Sequence, residues 1–245
     1  RDCKRRHAAA PSLPRGGKLR TFDMVLANPP YSIKQWDREA FASDPYGRNF
    51  LGTPPQGRAD YAFIQHILKS MDPRSGRCAI LLPHGVLFRN EESEMRERLV
   101  RSDLVEAVIG LGANLFFNSP MEACILICRS EKAPNRSKKI LFVDASAEVT
   151  RKNAQSYLEP QHIKRIVDAY RSDEDIEGFS SHASFSELED NAFSLSIPLY
   201  VKPANDENAD DRSIEETVES WRAASTEAAS LLDNIAAKLH ENDGE

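Results

Sequence analysis

Cysteine, tryptophan and long apolar runs are all scarce in this chain. Its 245 residues include four cysteines, Cys3, Cys78, Cys124 and Cys128, and two tryptophans. The cysteines show no C-x-x-C spacing, which argues against a zinc ribbon or a dithiol redox motif. The last three lie in apolar, strand-like runs and read as reduced, buried thiols of a cytoplasmic protein. No apolar run approaches the ~18–20 residues that span a bilayer, and the Arg-rich start has no apolar core, so neither a membrane span nor a secretory signal is supported. Positive charge is also in deficit, with 32 Lys and Arg against 38 Asp and Glu, a net charge of −6. The deficit is local: from Pro203 onward there are 12 acidic and 3 basic residues, leaving 26 acidic and 29 basic before it. A surplus of three positive charges excludes a protein that grips a polyanion unaided, so a partner has to supply most contacts to any phosphate backbone.

What is present is organised around one stretch, Phe22-Asp23-Met24-Val25-Leu26-Ala27-Asn28-Pro29-Pro30-Tyr31. Its first six residues are five apolar side chains around one Asp, without polar alternation, which predicts a strand covered on both faces in a parallel sheet. Pro29 and Pro30 then remove two backbone donors and hold φ near about −65°, so the chain leaves the carboxyl edge of the sheet stiff and extended. In open α/β sheets that edge is where ligands bind. A rigid turn there presents an amide side chain (Asn28), carbonyl oxygens that no local N–H easily claims, and an aromatic ring (Tyr31). Acceptors beside a ring suit a planar group bearing an NH2, such as the exocyclic amine of a base.

The Asn-Pro-Pro-Tyr element after such a strand resembles the catalytic motif of amino-group methyltransferases that use S-adenosylmethionine, chiefly the N6-adenine DNA enzymes. Four further segments resemble, in order, the modification subunit of type I restriction-modification systems. They are Arg58-Ala59-Asp60-Tyr61-Ala62-Phe63-Ile64-Gln65-His66, Leu81-Leu82-Pro83-His84-Gly85-Val86-Leu87-Phe88, Asn114-Leu115-Phe116-Phe117-Asn118 and Ile197-Pro198-Leu199-Tyr200-Val201. The resemblance runs from Gly16 to Val201. It implies an α/β fold, the second half of a Rossmann-like methyltransferase sheet whose last strand is antiparallel, followed by a C-terminal helix. It implies S-adenosylmethionine as cofactor and, as partners, double-stranded DNA with the specificity and restriction subunits of a type I complex. By the same resemblance, the Asn28 side-chain oxygen and the Pro29 carbonyl each accept one hydrogen of adenine N6, Pro30 stiffens the turn, and Tyr31 stacks on the flipped base. Phe116 or Phe117 lies on the base's other face, with Phe117 preferred because Asn118 turns the chain after it. Asn28, Pro29 and Phe63 border the cofactor, although for Phe63 core packing is as good an account. The family's glycine-rich cofactor loop and ribose-binding acid have no counterpart: Gly16-Gly17, the one pair near the start, shows neither a strand before it nor a helix after it. The chain therefore reads as the C-terminal portion of such an enzyme.

Residues 1–20, with seven Lys and Arg and no apolar period, read as loop or disorder. Residues 21–202 form the catalytic portion. Within it, a polar stretch to Arg58 carrying Trp36, Phe41, Tyr46 and Phe50 reads as a functional loop. Asp60–Met71 has a helical period closed by Pro73. Cys78–Leu82 is a buried strand ending at His84, a proton carrier or a turn residue. Glu91–Ser102 is an amphipathic helix. Leu104–Leu111 and Ala123–Cys128 are strands joined closely enough to pair antiparallel. Ile140–Val143 is one more strand, and Leu158–Tyr170 is a helix with Ile163, Ile166, Val167 and Tyr170 inward. Residues 203–212 read as an acidic linker. In residues 213–240, Ile214, Val218, Trp221, Ser225, Ala228, Leu232, Ile235 and Leu239 recur at alternating spacings of four and three, a heptad seam for another subunit or a helix folded onto its own domain.

Three functions fit this reading. The first is site-specific N6-adenine DNA methylation in a type I system. The second is methylation of a protein glutamine amide, which the same tetrapeptide serves. The third is a noncatalytic remnant that binds a partner through residues 213–240; in that case the Phe22–Ala27 strand becomes an exposed apolar edge.

Overall fold

A computed structural model describes residues 14–15, 18–116, 120–153, 155–202 and 222. The chain divides into a unit from Arg1 to Ala204 and a second from Asn205 to Glu245. The heptad stretch belongs to the second and, apart from Arg222, lies outside the described residues, as does the acidic linker.

The first unit is built on a six-stranded mixed sheet. Its strands are Met24–Ala27 (β3), Arg77–Pro83 (β4), Val105–Leu111 (β5), Ala123–Arg129 (β6), Lys139–Ala145 (β7) and Ser180–Ser184 (β10). Their spatial order is β10-β7-β5-β6-β4-β3. Two further ladders flank the sheet: Pro14–Arg15 (β1) with Lys18–Leu19 (β2), and Thr150–Lys152 (β8) with Gln155–Tyr157 (β9). A short strand therefore precedes Gly16-Gly17 after all, although no helix follows it.

β3 runs parallel to β4 and β5 parallel to β7, while β6 is antiparallel to both β4 and β5. The antiparallel strand expected after the short connection is thus β6, and it lies inside the sheet, between β4 and β5. Every residue of β5 is buried, as its mostly apolar sequence requires of a central strand, and its one charge, Glu106, accepts from Arg129 and from the Tyr170 hydroxyl. Because β3, β4 and β5 all point the same way, their carboxyl ends share one edge with the start of β6. The segments after Ala27, Pro83 and Leu111 meet there.

Helices cover both faces. On one side, Asp60–Lys69 (α2) and Ser93–Arg101 (α3) supply Tyr61, Ile64, Leu68, Met95 and Leu99 to the larger core, which also holds Cys78, Cys124 and Cys128 as buried free thiols. On the other, Pro160–Arg171 (α4) packs Ile166 and Ala169 against Leu141 and Val143 of β7. Ile163, expected inward, is 49% exposed: α4 docks through Ile166 and Ala169, and among the described residues nothing covers the turn before them. The chain closes on Tyr200, whose ring stacks on Phe142 at 4.1 Å with its hydroxyl donating to the Ser194 carbonyl.

β3 departs from expectation. It is shorter than the apolar run, because Phe22 forms only an isolated bridge to Met71 at the end of α2. Val25 and Ala27 pack on the larger core, but Met24 and Leu26 are 49% and 74% exposed. Only one face of this strand is covered, since it is the edge of the sheet and among the described residues no element lies over its outer face.

Candidate active site

The Asn-Pro-Pro-Tyr turn leaves the carboxyl end of β3 without secondary structure. The prolines account for this: neither donates a backbone hydrogen bond, and their preset φ keeps the segment extended. Asn28 and Pro30 are exposed, Pro29 and Tyr31 half-buried. The structure brings Asn28 and Tyr31 together, with the Tyr31 hydroxyl donating to Asn28 Oδ1 at 3.0 Å. This contact turns the carboxamide in place and leaves its oxygen a second lone pair. Burial, with Cys124 nearby, raises the Tyr31 phenol above its usual range, so the hydroxyl keeps its proton and remains the donor. Among the described residues neither the Asn28 nor the Pro29 carbonyl accepts a hydrogen bond. The turn therefore offers unclaimed acceptors next to a ring.

Directly behind the turn, Ser32 sits at φ +49° and its N–H donates to Asp60 Oδ1 at 2.7 Å. Asp60 opens α2, and its other oxygen accepts from Arg89 Nη1 at 2.9 Å. Arg89 is also 3.5 Å from Glu92, which is fully buried and whose two oxygens have no hydrogen-bond partner. Burial, opposed by Arg89 and reinforced by Asp60, pushes the Glu92 carboxyl up to about 7. Two carboxylates thus share one guanidinium, and Glu92, which among the described residues accepts no hydrogen bond, keeps its proton above the usual carboxylate range.

His84 begins a 3-10 turn after β4, and its Nε2 lies 2.9 Å from the Ala123 carbonyl at the start of β6. With Nε2 protonated this is a bond tying two strand ends together, which is the turn role. Nearby, Gly110 leaves room for Ile197, whose Cδ1 a Cβ there would meet at 2.7 Å, while the His84 ring would stay at an ordinary 3.6 Å.

The long stretch after Tyr31 is ordered. Trp36 and Phe41, from the short helix Arg38–Ala42 (α1), pack edge to face at 5.7 Å with Ala59 and Ala62. The Trp36 indole donates to the Gln56 carbonyl at 2.9 Å, and a buried Arg48–Asp44 pair closes the loop's middle at 2.6 Å. These aromatics build a small core of their own and hold the loop beside the turn. Phe63 is half-buried against that cluster, a packing role that leaves part of its ring accessible. Phe116 is half-buried just past the carboxyl end of β5, on the same edge as Asn28. Phe117, the preferred partner for the second face of the base, lies outside the described residues.

Sequence reasoning missed the Asp60–Arg89–Glu92 group, because its members belong to separate stretches and each alone reads as a solvated charge. The near-continuous apolar context of Asp60, between Ala59 and Tyr61-Ala62-Phe63, was the available signal: a charge in such a run has to be paired.

Known proteins resemble this chain over most of its length. The model of the N-6 DNA methylase family matches residues 2–209. A Methanocaldococcus jannaschii protein named as the type I restriction enzyme MjaVII methylase subunit is 31% identical over 223 residues, covering 87% of this chain and 38% of its own. The HindI methylase subunit of Haemophilus influenzae is 32% identical over 199 residues, 76% of this chain and 43% of its own. The solved type I methyltransferase subunit of Streptococcus thermophilus superposes with a TM-score of 0.73 at 37% identity, over 80% of this chain and 41% of that one. The chain thus spans about two fifths of the length of the relatives it matches.

Proposed function

The chain belongs to the N-6 DNA methylase family, and from that premise we propose that it carries the methyl-acceptor site of a site-specific adenine-N6 DNA methyltransferase of a type I restriction-modification system. The observation that supports this best is the turn itself, where the free Pro29 carbonyl and Asn28 Oδ1 stand beside the half-buried Tyr31 ring.

The chemistry follows from the acceptor amine. Adenine N6 is a poor nucleophile because its lone pair is delocalised into the ring. When Asn28 Oδ1 and the Pro29 carbonyl each hold one N6 hydrogen, the lone pair turns out of the ring plane, and the same two oxygens stabilise the positive charge that develops on nitrogen. Tyr31 stacks on the base, an interaction worth ~1–3 kcal/mol that offsets much of the cost of extruding the adenine from its duplex. Phe116 or Phe117 covers the second face. Pro30 removes a donor that would otherwise compete for the turn's acceptors.

S-adenosylmethionine, when bound, supplies the electrophilic methyl group. The residues present fit its reactive end, because uncharged oxygen acceptors and aromatic rings suit a sulfonium, and no cation of the described turn opposes it. Asn28, Pro29 and Phe63 border it in this reading. The mild charge of residues 1–202 assigns most DNA-phosphate contacts to the specificity subunit, and the restriction subunit completes the complex. Among the described residues no helix is long and apolar enough to cross a membrane.

Calorimetric titration of the 245-residue chain with S-adenosylmethionine, followed by methyl transfer to duplex DNA with the specificity subunit supplied, tests the reading. Micromolar binding and N6-methyladenine formation that Asn28→Ala abolishes are expected. Undiminished transfer by Asn28→Ala would overturn the residue assignment. Transfer to a glutamine-containing peptide instead of DNA would move the chain to the protein-methylating class.

A further inference from the structure

The acceptor turn has no secondary structure of its own and its prolines stiffen it without anchoring it, so something outside it must fix where it points. Ser32, directly after Tyr31, stands at φ +49°. That left-handed conformation is unfavourable for a residue with a Cβ and persists only where neighbouring contacts impose it. One such contact is the 2.7 Å bond from the Ser32 N–H to Asp60 Oδ1, a short charge-assisted bond to a residue that is 2% exposed. Asp60 is held in turn by Arg89 Nη1 at 2.9 Å, with the Arg89 side chain 14% exposed. Little water reaches this pair, so its attraction is weakly screened.

The seat of Arg89 is itself specific. Gly85 has no Cβ, and the guanidinium lies where one would be, since a Cβ built there falls 2.4 Å from Arg89 Nε and 2.5 Å from Nη2. Three stretches remote in sequence, the ends of β3 and β4 and the first turn of α2, therefore converge on one backbone amide beside the acceptor residues.

We infer that Asp60 is a positioning residue for adenine-N6 methyl transfer, holding the Asn-Pro-Pro-Tyr turn through the Ser32 amide, with Arg89, seated over Gly85, locking the Asp60 carboxylate in place. The inference rests on the proposed function. Asp60 touches neither base nor cofactor in this scheme; it acts through the backbone that carries Asn28, Pro29 and Tyr31.

Hydrogen exchange at the Ser32 amide of the 245-residue chain, read beside methyl transfer from S-adenosylmethionine to an adenine-containing duplex with the specificity subunit supplied, tests the inference. Asp60→Ala is expected to speed Ser32 exchange at least tenfold while β5 amides stay unchanged, and to lower kcat at least tenfold with the KM for S-adenosylmethionine retained. Asp60→Asn, which keeps an acceptor oxygen, is expected to recover part of both. Gly85→Ala provides a second route that leaves Asp60 in place: its methyl group displaces only the flexible end of Arg89, and it is expected to speed Ser32 exchange in the same direction. Unchanged Ser32 exchange in Asp60→Ala, or β5 amides accelerating with it, would overturn the inference. So would faster exchange with kcat intact, which makes the pair a strut of the fold alone. Absence of methyl transfer by the unmodified chain would instead sink the functional reading, while the exchange measurement still decides whether Asp60 holds the turn.

Discussion

Glu92→Gln should abolish most of the loss of stability that the chain undergoes between pH 5 and 8. Glu92 is fully buried with both oxygens lacking hydrogen-bond partners, and its carboxyl is pushed from the usual 4.5 up to about 7. Its cause is first burial, then the nearby Asp60 carboxylate, against the opposing pull of Arg89. Between those two values the folded chain keeps a proton that the unfolded chain releases, so stability is greatest below the unfolded value and falls as pH rises through the folded one. At ~1.4 kcal/mol for each tenfold difference in proton affinity, the full loss by pH 8 is about 3 kcal/mol, a large fraction of a domain's stability. Glutamine has nearly the same shape and no proton to lose; any cost of burying its amide is the same at every pH. Urea unfolding of both chains at half-unit intervals from pH 5 to 8 measures the difference. The unmodified chain should weaken from pH 5 to about 7 and then level off, while the variant should be flat over the same range. Carboxyls such as Glu187, held below the usual range by hydrogen bonds from the Ser184 hydroxyl and N–H, lose stability only in acid and do so equally in both chains. Parallel curves from pH 5 to 8 would refute the reasoning and place the proton elsewhere.

Tyr31→Ala should weaken binding of duplex DNA carrying an extrudable adenine by about 1–3 kcal/mol, measured by fluorescence of 2-aminopurine at the target position. Tyr31→Phe keeps the ring and loses only the bond to Asn28 Oδ1, so it should retain most of that signal. Gly110→Ala drives a methyl group to within 2.7 Å of Ile197 Cδ1 and should lower the unfolding midpoint by the equivalent of roughly 1–3 kcal/mol. Leu26→Lys, on a side chain 74% exposed, should leave stability within about 0.5 kcal/mol and reduce concentration-dependent association seen by light scattering.

The elements legible in the sequence were those whose burial writes a period or an unbroken apolar run. Arg77–Pro83, Val105–Leu111, Ala123–Arg129 and Lys139–Ala145 all stand within two or three residues of where their apolar runs place them, as does the helix Asp60–Lys69. β10, Ser180-Ser181-His182-Ala183-Ser184, was not legible, because it pairs at the sheet's other edge with Ala183 as its sole apolar side chain. The helix after it, Phe185–Asp190 (α5), did carry a signal: Ser184 and Glu187 form the reciprocal cap that the pattern Ser-x-x-Glu announces. α1 is five residues long, too short for periodicity to reveal. At the site, Asn28 and Tyr31 were legible because two prolines dictate the local backbone. Asp60, Arg89 and Gly85 were not, because what joins them is sheet topology.

That difference bears on how the site depends on the rest of the molecule. Proline stiffness sets the shape of the turn but not where it points, since a stiff segment hinged on a four-residue edge strand can swing as a body. β3 is held by β4 on one side only, with its outer face open at Met24 and Leu26. Phe22 and Asp23 are also bonded by Asp72, Ser75 and Arg77, and two further restraints come from the helix: the bond from Phe22 N–H to the Ser70 carbonyl at 2.9 Å before the strand and the bond from Ser32 N–H to Asp60 after it. Both reach α2, one at each end. α2 is in turn anchored in the larger core through Tyr61, Ile64 and Leu68, and its Tyr61 hydroxyl donates to the Val86 carbonyl at 3.2 Å. The acceptor turn is therefore aligned less by its own strand than by the helix behind it, and substitutions in the core of α2 should reach the turn without any contact to Asn28 or Tyr31.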